Sequence, residues 1–232
     1  MMKAIFLDWD DTLNVHNEFK RCGEEAAMRV VEADLLGRGT KMDRERVHRA
    51  YKSAEIMMFS RKEFDRIRIW KAALGKLGLE LDDKVVRRAV EQYWRTIEAN
   101  SHLAKDAVYV LGELRRRGYR LGIIADYDDH IRDKRGVIER SPIGSLFDVI
   151  VLGGADHPTT KPDPSIFSYA CEKIGCKPSE AIMVGDSSDD SVGAERAGLT
   201  SVIIQQDKMR VGHYSIKDLM ELLNVLDRIN SR

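Results

Sequence analysis

Five short runs of mainly apolar residues have the length of β-strands. They are Lys3–Leu7, Arg120–Ala125, Asp148–Leu152, Ala181–Gly185 and Thr200–Ile204. Strands that are apolar on both sides are typical of sheets buried between two layers of helices. Apolar residues at helical spacing lie between the later runs. This alternation predicts an α/β fold with a doubly wound parallel sheet.

A long segment without strand signals, residues 17–101, interrupts the alternation. Its apolar positions recur at helical spacing, most clearly at Val86, Val90 and Trp94. We therefore expect a core domain of residues 1–16 and 102–232, and an inserted α-helical cap domain of residues 17–101. A cap inserted there would hang over the end of the first strand, where it would admit substrate and exclude water.

Carboxylates follow the first strand directly, in the sequence Asp8-Trp9-Asp10-Asp11-Thr12. Ligands of open α/β sheets bind at the carboxyl ends of the strands. Two acids this close repel each other unless a cation lies between them or one of them holds a proton. Asp8 and Asp10 therefore suit a metal-bound nucleophile and a proton donor, although a charged turn has the same composition. Acidic neighbours favour a protonated Asp10.

Three further strand ends carry polar residues. Gly185-Asp186-Ser187-Ser188-Asp189-Asp190 adds acids that suit a hard cation such as Mg2+, with Asp189 interpreted as the N-cap of a helix beginning at Asp190. Lys161-Pro162-Asp163-Pro164 holds a lysine rigidly, and its second proline is well suited to open a helix. The third strand end is Ala125-Asp126, where an anion pocket needs a polar group; Asp126 provides one and Ala125 does not.

Composition narrows the classes of partner. The 232 residues carry 38 basic and 38 acidic side chains, and this zero net charge argues against nucleic acid as the main partner. No apolar stretch approaches the ~20 residues of a membrane span. Three cysteines without a Cys-x-x-Cys motif, and an N-terminus without a signal-like region, favour a reducing cytoplasm.

In this order the motifs resemble the haloacid dehalogenase-like hydrolase superfamily, and in particular its phosphatases with a helical C1-type cap. The resemblance implies a Mg2+-dependent phosphatase acting on a small phosphorylated metabolite. It implies that Asp8 is the nucleophile, Asp10 the acid and base, and Lys161 the residue that positions Asp8 and binds the phosphoryl group together with Asp126. The implied metal residues are Asp8, Asp10 through its backbone carbonyl, Asp186 and, indirectly, Asp190.

Two positions depart from the pattern of that superfamily. Asp11 replaces the usual glycine, and Ala125 replaces a serine or threonine whose hydroxyl binds the phosphoryl group in the family. The backbone N–H groups of Asp126 and Tyr127, or the Tyr127 hydroxyl, are candidate substitutes. A phosphomutase, a dehalogenase and a non-catalytic phosphate-binding relative remain alternatives, and the chain is expected to be a monomer or a homodimer.

Overall fold

The computed structural model describes residues 2–61, 63–204 and 212–231, and the chain divides into two compact units. The core unit consists of Met1–Val15, His102–Tyr127 and Lys134–Arg232. The helical unit consists of His16–Ser101 and Asp128–Asp133. The segment 128–133, which sequence patterns grouped with the core, thus clusters with the helical unit.

The strands and helices of the described residues follow in chain order. The strands are β1 (Ala4–Leu7), β2 (Asn14–Val15), β3 (His102–Leu103), β4 (Arg120–Asp126), β5 (Val149–Gly153), β6 (Ala181–Gly185), β7 (Thr200–Ile204) and β8 (Tyr214–Ile216). The helices are α1 (Lys20–Gly37), α2 (Arg44–Phe59), α3 (Arg66–Gly75), α4 (Asp83–Asn100), α5 (Ala107–Arg116), α6 (Lys134–Arg140), α7 (Pro164–Ile174), α8 (Ser188–Ala197) and α9 (Leu219–Asn230). Among these helices, none is both long and apolar enough to cross a membrane.

The core unit is built on a six-stranded parallel sheet with the strand order β5-β4-β1-β6-β7-β8. β1 lies in the middle, with Leu7 opposite Ile123 of β4 and Val184 of β6. The predicted α/β fold with a doubly wound parallel sheet is confirmed. Because all six strands run in the same direction, the residues after β1, β4 and β6 meet at one edge.

Alternate residues of β1 enter two apolar cores on opposite faces of the sheet. Ile5 and Leu7 pack in a cluster that includes residues of α5 and α9. Ala4 and Phe6 pack in a second cluster that includes residues of α7 and α8. Because helices cover both faces of the sheet, polar side chains are expected at its carboxyl edge.

The helical unit has a core of its own, formed by buried residues of α1 to α4. Asp43, Asp65 and Asp82 begin α2, α3 and α4 by accepting hydrogen bonds from backbone N–H groups of the first turn. Each cap satisfies donors that have no partner within the helix. The unit is thus stabilised by its own apolar core and by capped helices.

The segment 128–133 is fastened to α4 within the helical unit. The Trp94 indole Nε1 donates a 2.8 Å hydrogen bond to Asp129 Oδ2. The Arg132 guanidinium lies 4.5 Å from the centre of the same indole ring, a distance at which a cation is attracted to an aromatic face. The loop after β4 thus packs against α4, whose Trp94 precedes Asp129 by 35 residues in the sequence.

Candidate active site

The acidic residues after β1 and β6 meet at the carboxyl edge of the sheet. Asp8 directly follows β1, and its backbone N–H donates a 2.9 Å hydrogen bond to Val184 O of β6. Its side chain is buried, with only 7% of the residue exposed. A buried carboxylate needs a partner of opposite charge or a hydrogen-bond donor, and the lysine predicted from the sequence supplies one.

Lys161 lies between two buried carboxylates. Its Nζ donates to Asp8 Oδ1 at 2.8 Å and to Asp190 Oδ1 at 2.7 Å. Its backbone N–H donates to Asp126 Oδ1 at 3.0 Å. The structure therefore brings Asp8, Lys161, Asp126 and Asp190 together, from four positions spread along the chain.

The charges in this cluster balance only if it takes up a further cation or a proton. Burial alone would lower the pKa of the Lys161 ammonium, but the carboxylates of Asp190, Asp8 and Asp126 outweigh it and raise that pKa. Burial also raises the pKa of Asp8, and Lys161 offsets only part of this rise. When Asp8 and Asp190 are both ionised, one ammonium faces two buried carboxylates and one negative charge is left over.

Asp190 is held by the start of α8 as well as by Lys161. The helix begins after Ser187, whose backbone N–H and Oγ donate to Asp190 Oδ2 at 3.1 and 2.6 Å. A Cβ on Gly185 would lie 2.3 Å from Asp190 Cγ, so only glycine allows this approach. Asp189 is in the first turn of the helix, and the expectation that it is the N-cap is wrong.

The remaining acid, Asp186, completes a set of oxygen atoms suited to a metal ion. One carboxylate oxygen each from Asp8, Asp186 and Asp190 lie within 4.8 Å of one another. Burial, followed by the charges of Asp190 and Asp11, raises the pKa of Asp186 to about 6. Carboxylate oxygens are the ligands of hard divalent cations, and a cation here would relieve the excess of negative charge. The residues present therefore fit such an ion.

Asp10 has a partner that sequence reasoning missed. The Lys134 ammonium, at the start of α6, lies 2.7 Å from Asp10 Oδ2. The same Nζ donates to the backbone carbonyl of Asp126 at 2.6 Å. Asp10 thus has the acidic neighbour Asp8, as expected, and in addition a buried cation that the sequence did not predict. Its carboxylate is also outside the group formed by Asp8, Asp186 and Asp190, so the carbonyl remains the route by which Asp10 would bind a metal.

The two departures from the motif pattern have structural counterparts. Asp11 adopts φ of +61°, a left-handed conformation that favours glycine and that aspartate tolerates better than most residues. Ala125 is buried in the apolar cluster that contains Leu7. The Tyr127 N–H donates to Gly153 O at 2.8 Å, so this candidate substitute for a hydroxyl at position 125 is already engaged.

Comparison with known proteins agrees with this geometry. The family model for haloacid dehalogenase-like hydrolases matches residues 2–198. The chain belongs to the haloacid dehalogenase-like hydrolase family. It is 30% identical over 212 residues to the glyceraldehyde 3-phosphate phosphatase of Methanopyrus kandleri, covering 90% of this chain and 86% of that protein. It is also 33% identical over 138 residues to the N-acylneuraminate-9-phosphatase of Homo sapiens, covering 56% of this chain and 54% of that protein.

A solved structure of the same family resembles the chain over almost its whole length. It is that of a HAD phosphatase from Thermococcus onnurineus, with a TM-score of 0.65 and 26% identity, covering 97% of this chain and 98% of that one. The enzyme class expected from the sequence, a phosphoric monoester hydrolase of the haloacid dehalogenase-like family, is confirmed. The phosphatases from Methanopyrus kandleri and Homo sapiens are named for different substrates. The similarity therefore does not identify a single substrate for this chain.

Proposed function

We propose that this chain is a Mg2+-dependent phosphatase that hydrolyses a small phosphorylated metabolite through an aspartyl-phosphate intermediate on Asp8. The observation that carries the proposal is the Lys161 ammonium, which bonds Asp8 and Asp190 beside the carboxylate of Asp186. A site that only binds phosphate has no need for a buried carboxylate at its centre, because like charges repel. A nucleophile has that need.

The proposed reaction proceeds in two steps. An Asp8 carboxylate oxygen attacks phosphorus as the bond from phosphorus to the leaving oxygen breaks, and Asp10 gives its proton to that oxygen. Water then attacks the phosphorus of the aspartyl phosphate and returns a proton to Asp10, which frees inorganic phosphate and Asp8. Lys161 keeps the Asp8 oxygen aimed and balances charge as the phosphoryl group arrives.

The proposed metal residues are the carboxylates of Asp8 and Asp186 and the backbone carbonyl of Asp10. When bound, Mg2+ would neutralise the charge of the carboxylate and phosphate as they come together. Asp190 would act through Lys161 and Ser187, since both of its oxygens already accept hydrogen bonds. Thr12 Oγ1 donates to Asp186 Oδ1 at 3.3 Å and would orient this carboxylate.

The metal proposal predicts a pH-dependent stabilisation. Because the pKa of Asp186 is raised to about 6, its contribution to the stability of the metal-free fold is full below the unfolded pKa of about 3.9 and is lost as pH rises through about 6. A cation that replaces the proton has the opposite dependence. We therefore expect saturating Mg2+ to raise Tm more at pH 7 than at pH 5, measured by thermal unfolding with Mg2+ or EDTA. A shift that is equal at both pH values, or larger at pH 5, would contradict the assignment.

The helical unit is proposed to be the cap that selects the substrate. It is inserted in the chain after β2, a few residues past Asp8 and Asp10. Within this unit, a groove of about 670 Å3 is lined by residues of α1 and α2, among them Lys20, Arg29, His48 and Lys52. Small-molecule sites commonly have volumes of ~300–1,000 Å3. The groove of the helical unit therefore has the volume of a small-molecule site.

A substrate panel tests the function and its alternatives together. We expect phosphate release from glyceraldehyde 3-phosphate, N-acylneuraminate 9-phosphate or p-nitrophenyl phosphate that is at least about tenfold faster with Mg2+ than with EDTA. Isomerised sugar phosphate without phosphate release would indicate a phosphomutase. Halide release from a 2-haloacid without metal would indicate a dehalogenase. Tight phosphate binding without any turnover would indicate a non-catalytic relative.

A further inference from the structure

Lys134 is a buried cation at the carboxyl edge of the sheet. It has no role in the proposed reaction of Asp8, Asp10 and Lys161. Only 3% of Lys134 is exposed. Lysine is almost never this deeply buried without partners for its ammonium group. Its Nζ contacts Asp10 Oδ2 at 2.7 Å and the Asp126 carbonyl at 2.6 Å. Its place at the start of α6 thus directs a positive charge to the ends of β1 and β4.

Asp126 connects Lys134 to the other lysine of the site. Its backbone carbonyl accepts from Lys134, and its side chain accepts from the Lys161 N–H. The two ammonium groups in turn contact the two acids of the Asp8-x-Asp10 motif, Lys134 contacting Asp10 and Lys161 contacting Asp8. The pair of lysines therefore brackets the short segment from which the nucleophile and the acid project.

The end of β4 lacks a side-chain donor at position 125. Ala125 has no polar group and is buried against apolar residues. A phosphoryl group bonded by Asp8 adds negative charge beside carboxylates that already outnumber Lys161. An ammonium held next to that strand end would supply both a hydrogen bond and a compensating charge. The Lys134 ammonium contacts the backbone carbonyl of Asp126 at this end of β4.

We propose that Lys134 binds the phosphoryl group, donating to a phosphoryl oxygen from the end of β4 where Ala125 offers no donor. The inference rests on the proposed function, because it takes a phosphoryl group on Asp8 as the ligand. The contacts of the ammonium with the Asp10 carboxylate and the Asp126 carbonyl hold it at this position before substrate binds. The alternative is a purely structural ion pair that ties α6 to the loop after β1.

Substitutions of Lys134 separate binding from structure. Lys134→Met keeps an apolar side chain of similar length but removes the positive charge and the hydrogen-bond donors. Lys134→Arg keeps the positive charge and the donors. We expect Lys134→Met to lower kcat/KM by about 10- to 100-fold and to weaken inhibition by inorganic phosphate about as much, because a hydrogen bond to a charged group is lost. Lys134→Arg is expected to retain most of the phosphate affinity. Lys217→Met, at an exposed lysine before α9, is the matched control and should leave both values unchanged.

A second substitution distinguishes phosphoryl binding by Lys134 from a purely structural role. Ala125→Ser restores a hydroxyl donor at the end of β4. If Lys134 supplies the donor that Ala125 lacks, Ala125→Ser should recover at least about tenfold of the kcat/KM lost in Lys134→Met and change the wild type by less than about threefold. Equal effects of serine in both backgrounds would overturn the proposal, because a structural ion pair is not replaced by a hydroxyl at position 125.

The binding of inorganic phosphate keeps this test independent of turnover. Calorimetric titration with phosphate in the presence of Mg2+ is carried out on wild type, Lys134→Met and Lys134→Arg. Weaker binding in Lys134→Met alone supports the proposal even if the wild type hydrolyses no ester, an outcome that would refute only the enzymatic function. Unchanged phosphate binding in a folded Lys134→Met protein overturns the inference. If Lys134→Met does not fold, weak binding by a folded Lys134→Arg variant overturns it as well.

Discussion

Replacement of Asp8 by asparagine is expected to lower kcat for phosphate-ester hydrolysis by at least about a thousandfold. The amide lacks the anionic oxygen that attacks phosphorus, whereas the rest of the site stays in place. The 2.7 Å hydrogen bond from Lys161 to Asp190 does not involve Asp8, so we expect the ammonium to keep this partner in the variant. The loss of activity is measured as phosphate release under saturating substrate and Mg2+.

The same substitution is expected to leave the metal-free protein at least as stable as the wild type. Burial raises the pKa of Asp8, which means that its ionised form is disfavoured in the fold, and asparagine removes that charge. Active-site residues often reduce stability in this way. Asp227→Asn, at an exposed residue of α9, is the control for the exchange of acid for amide. An Asp8→Asn protein with more than about a tenth of wild-type kcat would show that another group is the nucleophile.

Replacement of Lys161 by methionine is expected to damage both catalysis and folding. The buried carboxylates of Asp8 and Asp190 lose the ammonium between them. Removing one partner of a buried ion pair costs about 3–5 kcal/mol of the free energy of unfolding, and losing one preorganised charge at a reacting group costs about 100- to 1,000-fold in kcat. Urea unfolding and steady-state kinetics give the two values.

Mg2+ should restore part of the stability lost in Lys161→Met but little of the activity. A cation between the carboxylates offsets the repulsion that the lysine relieved. It does not replace the 2.8 Å hydrogen bond that aims the Asp8 oxygen. Lys217→Met again provides the matched control at an exposed position. A wild-type kcat together with a wild-type urea midpoint in Lys161→Met would mean that this lysine contributes to neither catalysis nor stability. That result would contradict the proposed role of Lys161.

Much of the core fold can be predicted because its strands are buried on both faces. Continuous apolar runs identify β1, β4, β5, β6 and β7, with bounds correct to within one residue. β8 is harder to predict because it has only three residues, Tyr214–Ile216, at the edge of the sheet. Residues 128–133 carry no sequence signal for membership of the helical unit. Their placement depends on Trp94, which lies 35 residues before Asp129 and donates to it.

The candidate site is predictable where its residues follow strand ends. Asp8 and Asp186 do so directly, Asp126 is the last residue of β4, and prolines mark Lys161 as a fixed position. Lys134 was missed because it lies in the charged run Arg132-Asp133-Lys134-Arg135, where nothing distinguishes a buried lysine from solvated ones. The available signal was indirect: an alanine at a strand end where an anion site needs a donor.

The most direct test of the account is to look for phosphate on Asp8 during turnover. Acid quenching in the presence of substrate and Mg2+, followed by borohydride reduction, converts an aspartyl phosphate to homoserine, which peptide mass spectrometry locates in the sequence. The account predicts homoserine at position 8 in the wild type and none in Asp8→Asn. Turnover without modification of Asp8, or with the modification at another acid, would contradict it.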